Sequence, residues 1–296
     1  MADKRRSVPK RLSPGKKVIR QHYVMACRFD VMALKPGNVS IALPGHDMVA
    51  EQFLAAARAS GPALVGGKTL GDSILAATKA SVNVAGCNTN LGIVLLAAPL
   101  IHAGLVIQAH KRPTSCLRDA LLSVLDQTTV ADAQQVYEAI LIAEPGGLGR
   151  SDAHDVADTP EISLRETMAY AAVRDRIAHQ YATNFVDVMT LGVPIFQHFV
   201  RRWGSISWAC VAVYLSFLSA FNDTHIERKF GAELASEVSR DAMALERGFK
   251  ACENPAQFAS SLTIFDAELK RGGVNPGTSA DLTVASLLAY LLQASI

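Results

Sequence analysis

The chain has 296 residues, half of them hydrophobic and 19% charged, which excludes a disordered or fibrous protein. Net charge is +2, but eight of the 29 basic residues and one of the 27 acids fall in the first twenty positions, leaving the rest negative by five. A body of that sign binds polyanions poorly, so nucleic acid is not an expected partner.

Residues 1–17 read as a basic, solvated arm. From Val18 onward, Val18, His22, Met25, Phe29 and Met32 recur at 4-3-4-3 spacing, which predicts one apolar stripe on a helix of about 18 residues. His22 on that stripe reads as a satisfied core histidine. The helix must stop at Lys35-Pro36-Gly37. Further helices are expected near 48–59, 70–80, 91–107, 115–125, 130–143, 161–180, 194–220, 228–251, 255–270 and 280–295. Short breaker clusters separate them, among them Pro44-Gly-His-Asp47, Gly61-Pro62, Gly66-Gly-Lys-Thr69 and Asn275-Pro-Gly-Thr278.

Trp203–Asn222 is a 20-residue run without charge, long enough to span a bilayer. It carries four serines and has no comparable neighbours, so a central buried helix is expected and no membrane partner. Strand-like alternation is nearly absent. The predicted fold is all-α, a single compact multi-helix domain of about ten to twelve helices over 18–296, preceded by the basic arm. Apolar helix faces in an Ala-rich domain give a mild expectation of a homodimer. Five dispersed cysteines (Cys27, Cys87, Cys116, Cys210, Cys252) lack metal-type spacing and read as buried thiols in a reducing compartment. No apolar stretch follows the basic start as in a secretory signal, so a cytoplasmic location is expected.

Candidate functional residues gather where helices begin. Asp72 follows Thr69 by three, Glu227 follows Thr224 and Asp281 follows Thr278, and each pair fits a capping box worth on the order of 1 kcal/mol. Together they suggest more. Helix N-termini present free N–H groups that suit phosphate oxygens. Carboxylates beside them can hold Mg²⁺, which prefers a few carboxylates plus substrate phosphates and water. Asp47, Asp72, Asp223 and Asp281 would form such a cup if their helices converge. Glu144-Pro-Gly-Gly-Leu-Gly-Arg150 is the most Gly-rich loop. Its backbone at Gly146, Gly147 and Gly149 can approach a phosphate that Arg150 binds bidentately. A helix C-cap followed by a flexible connection explains the loop about as well. It is neither a P-loop nor a dinucleotide fingerprint.

Several motifs in order resemble one family. They are Lys35-Pro36-Gly37, Gly45-His46-Asp47-Met48, Asn88-Thr89-Asn90-Leu91-Gly92, Asp223-Thr224 with Arg228 and Gly231, and Pro276-Gly277-Thr278-Ser279-Ala280-Asp281-Leu282. This set is similar to the triphosphoribosyl-dephospho-CoA synthase family over about residues 18–293. The branch serving citrate lyase and malonate decarboxylase has Asn-Thr-His-Lys-Gly where this chain has Asn88-Thr89-Asn90-Leu91-Gly92. The chain looks closer to a shorter branch of archaea and one-carbon-metabolising bacteria.

The resemblance implies an all-helical, Mg²⁺-dependent transferase in cofactor biosynthesis. Such an enzyme moves the triphosphoribosyl group of ATP to the ribose hydroxyl of dephospho-CoA, or of another small acceptor, and releases adenine. It implies Asp47 or Asp281 as general base or cation stabiliser, with His46 as donor to the leaving base. Asp72 and Asp223 would be metal ligands. Lys35, Arg150, Arg228 and Lys229 would meet phosphates, with Gly37, Gly92 and the glycines of the 145–149 loop lending close backbone approach. Asn88, Thr89 and Asn90 would hold ribose or base. The alternatives are a divergent member acting on a pterin- or furan-type one-carbon cofactor precursor, an N-ribosyl hydrolase, and a nucleotide-binding protein without this catalysis.

Overall fold

The computed structural model describes residues 13–110, 116–151 and 153–295, so most of the basic arm lies outside it. Every regular element among the described residues is helical. Helix α1 (Pro14–Met32) starts four residues before the predicted stripe, with proline in the first turn, where its missing N–H costs nothing, and Ser13 capping Lys16 N–H. Its buried face is Ile19, Tyr23, Ala26, Cys27, Asp30 and Val31, whereas Val18, Met25 and Met32 are 38%, 39% and 42% exposed. The predicted stripe therefore lies on the outer side. Two apolar lines run side by side on this helix, and the inner one is disguised by Tyr23 and Asp30, whose polar atoms are satisfied at Ser60 and Lys35. His22 is half-buried with an unpartnered Nδ1, not the satisfied core residue expected.

Helix α2 (Ala50–Leu64) runs through Gly61-Pro62, absorbing in its last turn a pair expected to end it. Thr69 caps α3 (Leu70–Ala85) by accepting from Asp72 N–H at 3.1 Å, and Gly86 closes it at φ 73°. Helices α4 (Leu91–His110), α5 (Leu117–Asp126) and α6 (Val130–Ala143) follow as predicted. The segment 161–180 is two helices, α7 (Leu164–Ala171) and α8 (Arg176–Ala182), because Asp175 accepts from Ile177 and Ala178 N–H and starts a new one. The segment 194–220 divides at Gly204 (φ 64°) into α9 (Val193–Trp203), entered through a π-turn at Val188–Gly192, and α10 (Ile206–Ala220). Gly231 (φ 91°) divides the next segment into α11 (Thr224–Phe230) and α12 (Ala232–Ala251). A 3₁₀ turn at Pro255–Phe258, α13 (Ala259–Arg271) and α14 (Gly277–Ser295) complete fourteen α-helices among the described residues, above the ten to twelve expected.

Helices α4, α10 and α14 form the middle of the bundle. Residues 209–219 of α10 are buried without interruption, as the charge-free run predicted. Its serines do not betray the core, since Ser216 donates back to the Ala212 carbonyl, as Ser286 does to Leu282 on α14. Among the described residues, α4 is the one single helix long and apolar enough to cross a membrane, and 72% of that window is packed inside the bundle. Burial of each Leu, Val or Phe here contributes about 1.5–3 kcal/mol. Of the five thiols, Cys27 and Cys210 are buried, Cys87 and Cys252 partly so, and Cys116 is exposed, against the expectation that all lie inside.

Candidate active site

Four helices begin around one cavity of about 610 Å³, and each contributes to its wall close to its first turn. They are α4 with Gly92, α8 with Ile177, α11 with His225 and α14 with Thr278. Helix starts do converge, although of the four acids expected there only Asp281 lines the cavity. The opposite wall comes from the end of α6, the loop after it and α7, through Ile140, Gly146, Leu148, Met168 and Ala171.

Asp281 lies at the α14 side of the floor. A methyl group on Gly92 would come within 1.9 Å of its Oδ2, so only glycine lets α4 start this close to the carboxylate. Among the described residues nothing donates a hydrogen bond to Asp281. Burial and the charge of Asp30 hold its carboxyl well above the ordinary carboxylate range, opposed by Lys35.

Asp30, also on the cavity wall, is paired with the fully buried Lys35. Lys35 donates as well to Asn38 Oδ1 at 2.7 Å, and Asn38 donates to Asn275 Oδ1 at 2.9 Å. Lys35 therefore braces the floor from below and does not reach the cavity. Gly37 (φ 77°) donates its N–H to Asp266, and its carbonyl accepts from His46 Nε2 at 2.8 Å. His46 lines the cavity with that nitrogen already engaged.

Arg228 and Lys229 supply positive charge to the same cavity. Arg228 is held across it, donating to Asp175 Oδ2 at 3.2 Å and to the Gly146 carbonyl at 3.2 Å. His225 faces the cavity with a buried, unpartnered Nε2. Burial, then Arg228 and Lys229, push its pKa down to about 4, so the imidazole is neutral at physiological pH. Thr89 Oγ1, also on the wall, is a second buried polar atom without a partner. Such orphans are expensive in a folded core, and a cavity is where a ligand can satisfy them.

Of the predicted site residues, the cavity brings together Asp281, His46, Asn88, Thr89, Asn90, Gly92, Gly146, Arg228 and Lys229. Asp47 is exposed, in a left-handed conformation (φ 58°), beside the cavity and not on its wall. Arg150 and Gly149 lie out on the loop, and Gly147 (φ 75°) packs against the Arg228 backbone. Asp72, in the first turn of α3, donates its N–H to the Thr69 cap and accepts from Gln135 of α6, away from the cavity. Asp223 is fully buried and accepts from Ser279 N–H and Oγ–H and from two N–H groups of α11. It is the N-cap of α11, in place of Thr224, and Thr278 lies inside α14 bonded to Thr224, so neither of those expected capping boxes forms, and at α3 only the Thr69 half of the third does.

The two proposed metal ligands are therefore apart. Among the described residues no three His, Cys, Asp or Glu side chains gather closely enough to hold an ion. Asp30, Asn38, Asp175, His225 and Asn275 are cavity residues that sequence reasoning missed. The two asparagines flank Pro-Gly pairs, a signal that could have found them.

A family model for ATP:dephospho-CoA triphosphoribosyl transferase (CitG) matches residues 16–296. The chain belongs to this family. It is accordingly a triphosphoribosyl-transferring enzyme, as the motif order implied. The crystal structure of an Archaeoglobus fulgidus protein assigned as a triphosphoribosyl-dephospho-CoA synthase superposes with a TM-score of 0.61 at 26% identity, covering 81% of this chain and 98% of that one. No match is found among curated proteins.

Proposed function

We propose that this member of the family transfers the triphosphoribosyl group of ATP to the ribose hydroxyl of dephospho-CoA, with the chemistry centred on Asp281. The observation that supports it most is a carboxylate without hydrogen-bond donors on the floor of a cavity whose rim carries Arg228 and Lys229. The C–N bond to adenine breaks through an oxocarbenium-like species, which Asp281 stabilises by charge. The acceptor hydroxyl gives its proton to the same carboxylate as the new C–O bond forms; the carboxyl returns it to solvent, and the departing adenine takes up a proton from solvent. A carboxyl raised above its usual range is the stronger base for that step.

Arg228 and Lys229 hold the triphosphate, and its charge gives them more work in the complex than Asp175 alone does. Thr89 and the neutral His225 offer hydrogen bonds to ribose and departing base. Mg²⁺ would be held by triphosphate oxygens, water and one or two of the cavity carboxylates, such as Asp175, and would neutralise phosphate charge. Asp72 and Asp223 are not where it would sit.

The test is chromatography of ATP and Mg²⁺ incubated with the protein, with and without dephospho-CoA. Adenine that appears only with dephospho-CoA supports the reading. Adenine without any acceptor would make the enzyme an N-ribosyl hydrolase, and none at all would move the acceptor elsewhere, such as to a one-carbon cofactor precursor.

A further inference from the structure

The cavity is chemically divided. Asp30, Asp281, Asn90 and His225 supply its polar wall, and Ile140, Val156, Met168 and Ala171 an apolar one. That apolar wall continues onto the surface. Val173, in the turn between α7 and α8, is 92% exposed, Tyr170 is 60% exposed and Leu148 40% exposed. Val173 and Leu148 line the mouth itself, and Tyr170 packs its ring 4.4 Å from that of His154, which also lines it. The rim is built, because Tyr137 donates to the His154 carbonyl at 2.8 Å and fixes the loop. Large apolar side chains exposed together beside a cavity mark a binding surface.

We propose that this rim, Leu148–Tyr170–Val173, carries the long, uncharged thiol-bearing tail of the acceptor. The inference rests on the transferase reading above, and it names which substrate uses which end. The acceptor reacts at a ribose hydroxyl, so its nucleotide end must reach Asp281. Its diphosphate then passes Arg174, which faces the same space, and the remaining tail must leave through the mouth. ATP has no such extension: beyond its sugar it offers a base that departs and a triphosphate that an apolar rim repels. An apolar rim is therefore matched to one substrate only.

The experiment measures calorimetric affinities of dephospho-CoA, ADP and ATP for the wild-type chain and for Val173→Asp and Leu148→Asp. ADP is dephospho-CoA without the tail. Because Val173 is almost wholly solvated, an aspartate there leaves the fold intact. The expected result is about tenfold or more weaker binding of dephospho-CoA, with ADP and ATP changed less than twofold, and retained affinity in Val173→Leu. Equal weakening of ATP would place the nucleobase at the rim and overturn the proposal. Unchanged dephospho-CoA affinity, or no measurable binding of it to the wild type, would overturn it too. Binding is read without turnover, so tail-dependent binding with no adenine release would defeat the transferase reading and leave the rim assignment standing.

Discussion

Asp223 and Asp281 stand at the junction of α11 and α14, the first fully buried and the second half-buried on the cavity wall, and their company differs completely. Asp223 receives four hydrogen bonds: Ser279 N–H at 2.7 Å, Ser279 Oγ–H at 2.8 Å, His225 N–H at 2.9 Å and Ile226 N–H at 3.3 Å. Asp281 receives none from the described residues. Asp132, Asp266 and Asp30 resemble Asp223, each tied to a backbone N–H or a lysine: Asp132 to Gly71, Asp266 to Gly37 and Lys270, Asp30 to Lys35. Acids of the first kind join helix ends to one another. A carboxylate left without donors beside a cavity is the one proposed above to meet the substrate.

The contrast breaks most visibly in activity. Asp281→Asn keeps the shape and removes the base, and kcat should fall by about 10³ with helical content unchanged by circular dichroism. Wild-type turnover in that variant would transfer the role to another group.

Lys35→Met tests the bracing acids. It strands Asp30 with no counter-charge, and urea denaturation should show a loss of about 3–5 kcal/mol. Adding Asp30→Asn should recover a large part of it, because the uncompensated charge is then gone. Failure of that recovery would mean that Lys35 acts through packing on Tyr214, whose ring lies 5.8 Å away. Asp223→Ala comes next, at about 2–3 kcal/mol, since it orphans donors on two helices at once. Arg228→Ala should raise the KM for ATP about tenfold by removing one charge-assisted contact, with melting temperature nearly unchanged.

How much of this was legible in the sequence follows from where each partner lies. Helix content and the central position of 203–222 were legible because local composition decides them. The extra breaks at Asp175, Gly204 and Gly231 were not, since each is a single capping residue inside an otherwise periodic run. On α1 the periodicity was right and the face was wrong, because a buried Asp30 looks polar until Lys35 folds onto it. Clustering of the chemistry at helix starts could be read. The choice among the acids could not, because Asp223 is occupied by Ser279, 56 residues away, and Asp72 by Gln135, 63 away. Sequence shows the acids and hides their donors.

The subtlest consequence of an unpartnered Asp281 concerns stability and not rate. Its folded pKa is raised above the unfolded value, so its protonated form favours the fold fully below about pH 3.9. That contribution is lost as pH rises through the raised folded pKa, where the chain must hold a buried charge. An asparagine at this position carries no such penalty. The melting temperature of Asp281→Asn should therefore exceed that of the wild type at neutral pH, by about 2 °C for each kcal/mol released, and the gap should shrink on acidification. Activity of the wild type should rise with pH over the same window, because the ionised carboxylate is the base. Burial raises the Asp223 carboxyl too, but four donors oppose that shift, and its replacement orphans them and so lowers the melting temperature at neutral pH. Opposite signs for two aspartates on neighbouring helix ends are what separates a group held for folding from one held for chemistry, and equal signs would erase the distinction.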